Sequence, residues 1–300
     1  MSHLTRRAFL SQSAMATLAA STALSRPIDP IGRTRPSHLK LSLAAYSFRQ
    51  ELDFKAKKMD MFGFLDLAAD LGLDAVEPTS YWFPPDADSN YFHRLKQHAF
   101  TLGLDISGTA IANDFCLPPG EKRDADLAKV KGWIDRAAEL SAPVIRVFGG
   151  TAPKGESEDV TIARAIEGIE SVLPHAAEKG VALAVENHGG ITLRPETLLK
   201  LIRGVKAPEG TFGVNLDTGN FHGPDPYADL AQLAPYAINV QVKTEISRQG
   251  KPKEEADLSK VISLLREAKY SGYVVLEYEA AEDARTAVPR HIKELRALIG

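Results

Sequence analysis

The sequence predicts a single-domain α/β protein with the eight-stranded parallel barrel fold, the (β/α)8 or TIM barrel. Three observations lead to this prediction. About 260 residues follow the first forty, close to the ~250 residues of a typical barrel of this kind. Short apolar runs, typical of buried strands, recur along these residues. Segments with apolar residues three and four positions apart separate the runs, which predicts that strands and helices alternate.

The predicted strands are short and mostly apolar, and they cover residues 41–48, 74–79, 104–111, 143–148, 181–188, 211–217, 237–243 and 273–279. The predicted helices cover residues 59–71, 124–140, 160–179, 195–202, 226–233 and 258–269. Since helices connect successive strands, we expect the strands to run parallel. A doubly wound open sheet is the structural alternative. The first predicted strand is not followed by the Gly-x-Gly-x-x-Gly turn of a dinucleotide site, which disfavours that alternative.

Composition and charge exclude several classes of function. The chain has 300 residues, of which 44% are hydrophobic and 25% are charged, as in ordinary globular proteins. The 36 Lys and Arg residues are balanced by 39 Asp and Glu residues, and no basic block is present, so nucleic acid is not expected as a partner. Cys116 is the only cysteine, which excludes an internal disulfide and a thiolate metal site.

The N-terminal residues resemble a twin-arginine export signal. An arginine pair, Arg6 and Arg7, precedes two apolar residues and a modestly hydrophobic run at 11–24 that contains no acidic residue. This run is too short and too weakly apolar for a stable membrane anchor, which needs about 20 strongly apolar residues. A structureless N-terminal arm is the alternative. The predicted organisation is an export signal with the start of a linker at 1–30, a linker at 31–40 and the barrel at 41–300.

If the signal is correct, the protein is periplasmic or secreted, and the twin-arginine export machinery is a partner. The sequence is also compatible with a homo-oligomer.

Polar residues interrupt the last four predicted strands at corresponding positions. In a closed parallel barrel alternate side chains point into the lumen, and active sites gather at the C-terminal strand ends. Glu186 alternates with the apolar residues of the fifth strand, and Asp217 does so on the sixth. Gln241 and Glu277 hold the same place on the seventh and eighth strands. We therefore expect these four side chains to converge at one end of the barrel.

Three buried carboxylates repel one another unless they are protonated or neutralised by a cation. Three carboxylates and an amide carbonyl form an all-oxygen donor set, which suits one divalent ion such as Mn²⁺ or Mg²⁺ better than Zn²⁺ or Co²⁺. The sequence therefore predicts a metal site made by Glu186, Asp217, Gln241 and Glu277. The alternative is that each acid pairs separately with Lys243, Arg146 or a histidine in the lumen.

Five segments carry a family resemblance: residues 45–49 (AYSFR), 185–190 (VENHGG), 215–220 (NLDTGN), 239–243 (NVQVK) and 276–279 (LEYE). They resemble the xylose-isomerase-like TIM barrel superfamily of sugar isomerases and epimerases, and the similarity covers nearly the whole chain after residue 40. Ketose 3-epimerases of this group hold one metal with Glu, Asp, His and Glu on strands five to eight. The resemblance implies metal-binding roles for Glu186, Asp217 and Glu277, whereas Gln241 stands where the family usually has His.

The resemblance implies a metal-dependent sugar isomerase or epimerase that moves a proton next to a carbonyl through an enediolate. Glu186 and Glu277 match the two glutamates that act as acid and base in the resembled epimerases. A lyase or hydrolase of 3-keto-glycosides at the same site, and a non-catalytic sugar-binding barrel, are the alternatives. An apurinic-site endonuclease is disfavoured, because the chain has only eight His and an acidic charge balance.

Six further residues are candidates for binding a small sugar substrate: His188, Asn220, His222, Lys243, Arg146 and Trp82. His188 shares the inward face of Glu186, and Trp82 could stack on a sugar ring. Each has a structural alternative. Lys243 could pair with Glu277, and Arg146 could pair with Glu77 across the lumen.

Overall fold

Parallel strands form the inner wall of the protein in the computed structural model, which describes residues 26–55 and 58–300. The strands that form the barrel are β1 Leu39–Ala44, β2 Ala75–Glu77, β3 in two pieces Asp105–Ile106 and Thr109–Ala110, β4 Val144–Phe148, β5 Ala182–Glu186, β6 Phe212–Asp217, β7 Ala237–Val242 and β8 Gly272–Leu276. Each strand pairs in parallel with its neighbours in chain order, and β8 pairs with β1. The predicted barrel is therefore confirmed.

Eight α-helices surround these strands in the described part of the chain: α1 Met61–Asp70, α2 Ser89–Thr101, α3 Glu121–Leu140, α4 Glu158–Lys179, α5 Pro195–Gly204, α6 Pro226–Leu233, α7 Leu258–Glu267 and α8 Ala284–Ile299. The main core lies between strands and helices. On β5, Leu183 and Val185 belong to this core, and Ala184 and Glu186 alternate with them on the lumen side. This alternation places the polar residues of the late strands inside the barrel.

The sheet closes through β3, which is broken at Ser107 and Gly108. The first piece pairs with β2 and the second pairs with β4. A Cβ on Gly108 would lie 2.9 Å from Cγ1 of Val144, so this bend brings two strands closer than a side chain allows. The sequence predicted one continuous strand here, because apolar periodicity does not record such a kink.

Other elements differ from the sequence-based prediction. β1 ends at Ala44 and continues as a 3-10 turn, Ala45–Phe48, because the Ser47 hydroxyl donates to the carbonyl of Leu276 and accepts the amide of Tyr278. The helices α2 and α8 were not predicted. Their sequences are polar overall, so their buried stripes are narrow. A hairpin after β7, Glu245–Ser247 with Lys253–Glu255, was also not predicted.

Part of the predicted linker packs beneath the barrel. The amide of Ile31 donates to the carbonyl of Pro235, and the guanidinium of Arg33 donates to that of Ala237. Arg33 also lies 5.5 Å from the ring centroid of Tyr270. The predicted export signal lies almost entirely outside the described residues, which begin at residue 26. Among those that are described, no helix combines the length and apolar character needed to cross a membrane.

Candidate functional site

The four predicted metal-binding side chains lie at the C-terminal ends of neighbouring strands. Glu186 and Asp217 are the last residues of β5 and β6, and Gln241 pairs in register with Asp217. Glu277 follows β8 directly, where its amide donates to the carbonyl of Val242 at 2.9 Å. All four are at most 5% exposed. The barrel thus buries three acids and an amide at one end of its lumen.

Each oxygen of the Glu186 carboxylate has a partner, an ion pair at one and a hydrogen bond at the other. Nε of Arg146 lies 2.8 Å from one oxygen, and the Asn220 side-chain amide donates to the other at 2.9 Å. Arg146 in turn donates to the carbonyl of Ile111 at 2.8 Å, and its guanidinium lies 4.2 Å from the ring centroid of Phe148. The predicted pair between Arg146 and Glu77 is therefore wrong, because Arg146 forms its ion pair with Glu186.

Lys243 lies among the remaining acids. Its ammonium is 2.9 Å from Glu277, 3.0 Å from Glu279 and 3.4 Å from Asp217. The stem of Lys243 passes close to Gly219, where a Cβ would lie 2.8 Å from the Cβ of the lysine. Glycine at this position therefore lets the loop after β6 pack over the lysine. The salt bridge between Lys243 and Glu277 that the sequence left as an alternative is present.

Asp217 carries an oxygen that no hydrogen bond satisfies. Its Oδ1 accepts the amide of Gly219 at 2.8 Å, but its buried Oδ2 accepts no hydrogen bond. The ammonium of Lys243, 3.4 Å away, is only an ionic neighbour of that oxygen. The backbone of Asp217 is fixed by the side chain of Asn187, which accepts its amide at 2.9 Å and donates to its carbonyl at 2.8 Å. A buried carboxylate oxygen that accepts no hydrogen bond keeps its lone pairs available to a cation.

The side-chain amide of Gln241 is engaged at both ends. Its Nε2 donates to Oε1 of Glu77 at 2.6 Å, and its Oε1 accepts the side-chain amide of Asn215 at 2.6 Å. Asn239 donates to the other oxygen of Glu77 at 2.7 Å. Glu77 is therefore held by two amides and not by a basic residue.

Negative charge exceeds positive charge in this part of the lumen. The buried carboxylates among the described residues here are Glu77, Glu186, Asp217 and Glu277. The buried cations that face them are Arg146 and Lys243. With every group ionised, two negative charges are uncompensated. A divalent cation would balance that excess.

The excess charge and the burial shift the pKa values of these groups. Burial, aided by the charge of Glu277, raises the pKa of Asp217 to about 7 although Lys243 opposes the shift. Burial likewise raises the pKa of Glu77 to about 7 against its hydrogen bonds from amides. The pKa of Glu186 lies well above the ordinary value, because burial and neighbouring acids outweigh Arg146. Burial alone would lower the pKa of Lys243, but the surrounding acids raise it.

The donor set fits a hard divalent cation in charge and in chemistry. The oxygens are carboxylate and amide oxygens, one of them has no hydrogen-bond partner, and the local charge is negative. In the arrangement that the described residues adopt, however, no three His, Cys, Asp or Glu side chains form a group that could hold a metal ion. Binding a cation between Asp217 and Glu277 therefore requires Lys243 to withdraw from them, and Glu279 at the rim already accepts its ammonium.

The predicted sugar-binding residues lie at different distances from these acids. Asn220 contacts Glu186 directly, and His222 lines a cavity of about 210 Å³ together with Asn220 and Lys243. His188 is an exposed rim residue whose ring centroid lies 4.4 Å from that of Phe148. Desolvation and the charges of Arg146 and Lys243 lower the pKa of His188.

Trp82 lies further out than the other candidates. Its ring packs edge-on against Tyr46, with centroids 5.5 Å apart, and the ring of Tyr46 lies 5.8 Å from the ammonium of Lys243. Tyr46 thus separates Trp82 from the acids. Trp82 instead lines a larger cleft of about 980 Å³ beside the mouth of the barrel.

Sequence reasoning missed Asn187 and Phe148. Strand alternation would point Asn187 away from the lumen. Since β5 ends at Glu186, the alternation does not extend to Asn187. Phe148 could have been found, because it shares the inward face of β4 with Arg146, two residues earlier. The same alternation that located the acids therefore also places Phe148 on the lumen side.

Comparison with known proteins identifies the family. The sequence profile described as "Xylose isomerase-like TIM barrel" matches residues 65–298, which is most of the chain. The protein belongs to this family. Among curated protein sequences, none is similar enough to count as a match.

Solved structures agree with this assignment at the level of the fold. A xylose isomerase domain protein from Planctomyces limnophilus superposes with a TM-score of 0.68 and 17% identity, over 88% of this chain and 98% of that one. A D-psicose 3-epimerase gives 0.67 and 15% identity over 85% and 89% of the two chains. A 3-keto-D-glucoside 4-epimerase from E. coli gives 0.67 and 16% identity over 87% and 99%. Sugar epimerases are thus among the structural neighbours.

The raised pKa values predict an unusual dependence of stability on pH. Asp217 and Glu77 have ordinary pKa values of 3.8 and 4.5 and folded values of about 7, so between these limits the folded state binds more protons than the unfolded state. With a chelator present, each group should lower the free energy of unfolding by about 1.4 kcal/mol per unit as pH rises through this window. The loss is complete above pH 7. The pKa of His188 is lowered in the folded state, so this group should raise the free energy of unfolding as pH rises.

The measurement is urea denaturation of the wild type and of Asp217→Asn between pH 5 and pH 8. Asp217→Asn removes the contribution of Asp217 to the pH dependence, so the free energy of unfolding of the variant should fall less steeply with pH than that of the wild type. Parallel curves for the two proteins would contradict the assigned ionisation of Asp217.

Proposed function

We propose that this protein is a metal-dependent sugar isomerase or epimerase that moves a proton next to a carbonyl group through an enediolate. The observation that supports the proposal most strongly is the excess of buried carboxylates over buried cations at the C-terminal strand ends. That is the end at which enzymes with this fold place their active sites. Membership in the xylose isomerase-like family supports the same class of chemistry.

Glu186 is the proposed base. Arg146 and Asn220 fix its carboxylate at both oxygens, so its orientation does not depend on the substrate. Its raised pKa belongs to the protein without a cation, where burial and the neighbouring acids disfavour the ionised form. The fixed orientation suits a group that removes a weakly acidic proton from the carbon beside a carbonyl.

Glu277 is the proposed partner of Glu186, and it returns a proton to the sugar. In the arrangement without a cation, Lys243 lies 2.9 Å from its carboxylate. In the proposed metal-bound state, the cation would take the place of that ammonium. Glu186 takes the proton from one face of the carbon, and Glu277, which must carry a proton from solvent at that stage, gives that second proton to the opposite face. The carbon is thereby inverted, which is epimerisation. Return to the adjacent carbon gives isomerisation.

We propose Glu186, Asp217, Gln241 and Glu277 as the residues that would hold one divalent ion, with Mn²⁺ or Mg²⁺ favoured over Co²⁺ or Zn²⁺. When bound, such an ion would supply positive charge that stabilises the developing enediolate oxygens. The Oδ2 of Asp217, which accepts no hydrogen bond and has only the ammonium of Lys243 nearby, supports this proposal. The engagement of Gln241 by Glu77 and Asn215 leaves the amide oxygen one lone pair with which to act as a ligand.

The proposed substrate is a small sugar without a phosphate group. Asn220, His222 and Lys243 line a cavity of about 210 Å³ at the mouth, which has the polar groups to bind sugar hydroxyls. His188 and Arg146 complete the proposed polar surroundings, and Trp82 borders the wider cleft where a second ring could stack. The neighbours that act on D-psicose and on a 3-keto-D-glucoside suggest the first sugars to test.

Solvent exchange tests this proposal. Wild-type protein with Mn²⁺ is incubated with D-psicose, D-fructose or a 3-keto-glucoside in D₂O, and deuterium incorporation at carbon is followed by NMR. We expect exchange with the wild type and a loss of at least about 100-fold with Glu186→Gln, since general base catalysis is worth that much. Glu267→Gln, the same change at an exposed position on α7, should retain full activity.

The outcomes separate the candidate functions. Deuterium in an otherwise intact sugar supports the epimerase or isomerase. Release of the aglycone from the 3-keto-glucoside means that the same carboxylates run an elimination or hydrolysis. Sugar binding without either reaction, in protein that also binds no divalent ion, identifies a sugar-binding barrel and contradicts the proposed enzyme.

We further propose that residues 1–30 direct export by the twin-arginine machinery, so that the protein acts in the periplasm or outside the cell, as a monomer or a homo-oligomer. The support is the sequence pattern alone, since residues 1–25 lie outside the described part of the chain. Replacing Arg6 and Arg7 together by lysine should leave the protein in the cytoplasmic fraction on cell fractionation. Unchanged export of that variant would contradict the proposal.

A further inference from the structure

Four side chains from three strands form a closed ring of hydrogen bonds in the lumen: Glu77, Asn215, Asn239 and Gln241. Gln241 donates to Oε1 of Glu77 at 2.6 Å and accepts from Asn215 at 2.6 Å. Asn239 donates to Oε2 of Glu77 at 2.7 Å and to Oδ1 of Asn215 at 2.8 Å. All four residues are at most 2% exposed, so water does not compete for these bonds.

The ring has a direction, and Glu77 sets it. A carboxylate accepts at both oxygens, whereas an amide has one end that donates and one that accepts. Since both oxygens of Glu77 receive N–H groups, the amides of Gln241 and Asn239 must each turn their nitrogen toward Glu77. The carbonyl oxygen of Gln241 is then the end that faces away from Glu77. Its neighbour there, Asn215, presents its own nitrogen and so agrees with this orientation.

We propose that Glu77 is a positioning residue that fixes the amide of Gln241 with its oxygen, and not its nitrogen, available as a ligand. The two ends of an amide are nearly identical in shape, so packing alone cannot choose between them. A wrongly turned Gln241 would present NH₂ to a cation and repel it. Glu77 thus does for Gln241 what a carboxylate commonly does for a metal-binding histidine, namely select the donor atom through the atom opposite.

The proposal rests on the proposed metal-dependent function in one respect, namely that the oxygen of Gln241 binds a divalent cation. The direction of the ring does not depend on that function, because it follows from hydrogen bonds among the chain's own residues. The two parts can therefore be tested separately.

Glu77→Gln is the direct test. A glutamine at 77 accepts at one end only, so no set of amide orientations satisfies the whole ring, and at least one contact pairs two donors or two acceptors. The orientation of Gln241 is then no longer fixed. We expect Mn²⁺ binding, measured by calorimetry at pH 8 on the full chain without any sugar, to weaken by about 10- to 100-fold, the usual effect of losing such an outer partner. Equal Mn²⁺ affinity in the variant and the wild type would overturn the proposal.

Two further variants distinguish positioning from general damage to the lumen. Ser42→Ala removes another buried lumenal hydrogen bond, the one between Ser42 and Ser107 at 2.7 Å, and should leave Mn²⁺ affinity unchanged. The double variant Glu77→Gln with Gln241→His should recover most of the affinity, because an imidazole has no oxygen end to turn away and can donate its N–H to the oxygen of the new glutamine. Failure of this rescue, with the double variant folded, would overturn the proposal.

NMR supplies a readout that needs no metal. In the wild type the side-chain NH₂ of Gln241 should be protected from hydrogen exchange by its bond to Glu77, and Glu77→Gln should lose that protection. Full protection of Gln241 in the variant would overturn the positioning role. If the wild type binds no Mn²⁺, the proposed function fails, and the NMR comparison then decides the positioning proposal alone.

Discussion

The organisation of this protein depends on one electrostatic constraint, the burial of more negative than positive charge at one end of a barrel. Four carboxylates face two cations there, and each of the four is at most 5% exposed to solvent. The fold supplies the rigidity that keeps the acids together, because the side chains come from the ends of paired strands. Charge that is costly to bury is retained where it serves a ligand, and perturbed pKa values mark such places.

The basic residues do more than neutralise acids. Arg146 and Asn220 orient Glu186, and Lys243 links three acids, so each proposed acid–base group has a fixed geometry before a ligand arrives. Lys243 also occupies the region in which a cation would contact Asp217 and Glu277. The bond from Lys243 to the partly exposed Glu279 gives the ammonium an alternative partner nearer the rim. In the proposed metal-bound state, Lys243 would have to leave Asp217 and Glu277, so the proposed binding is coupled to its withdrawal.

Much of the fold could be predicted from the sequence, and only part of the site. Strand alternation predicted that Glu186, Asp217, Gln241 and Glu277 lie on the lumen side. A strand residue faces either the lumen or the helices, and the apolar residues between these four face the helices. The pairing of acids with bases could not be predicted, since it depends on where long side chains such as Arg146 reach across the lumen. The break in β3 at Gly108 and the partners of Glu77 depend likewise on contacts between strands distant in sequence.

Anomalous scattering of Mn²⁺ in crystals grown with that ion shows directly whether the strand ends bind a metal. The expected map has one peak within about 2.0–2.6 Å of carboxylate oxygens from Glu186, Asp217 and Glu277, the range for hard cations, with Lys243 moved toward Glu279. The contrary result is a map without a peak at the strand ends, in which Lys243 keeps its contacts with Asp217 and Glu277. That result would mean that the chain's own bases, and no metal, complete this charge cluster.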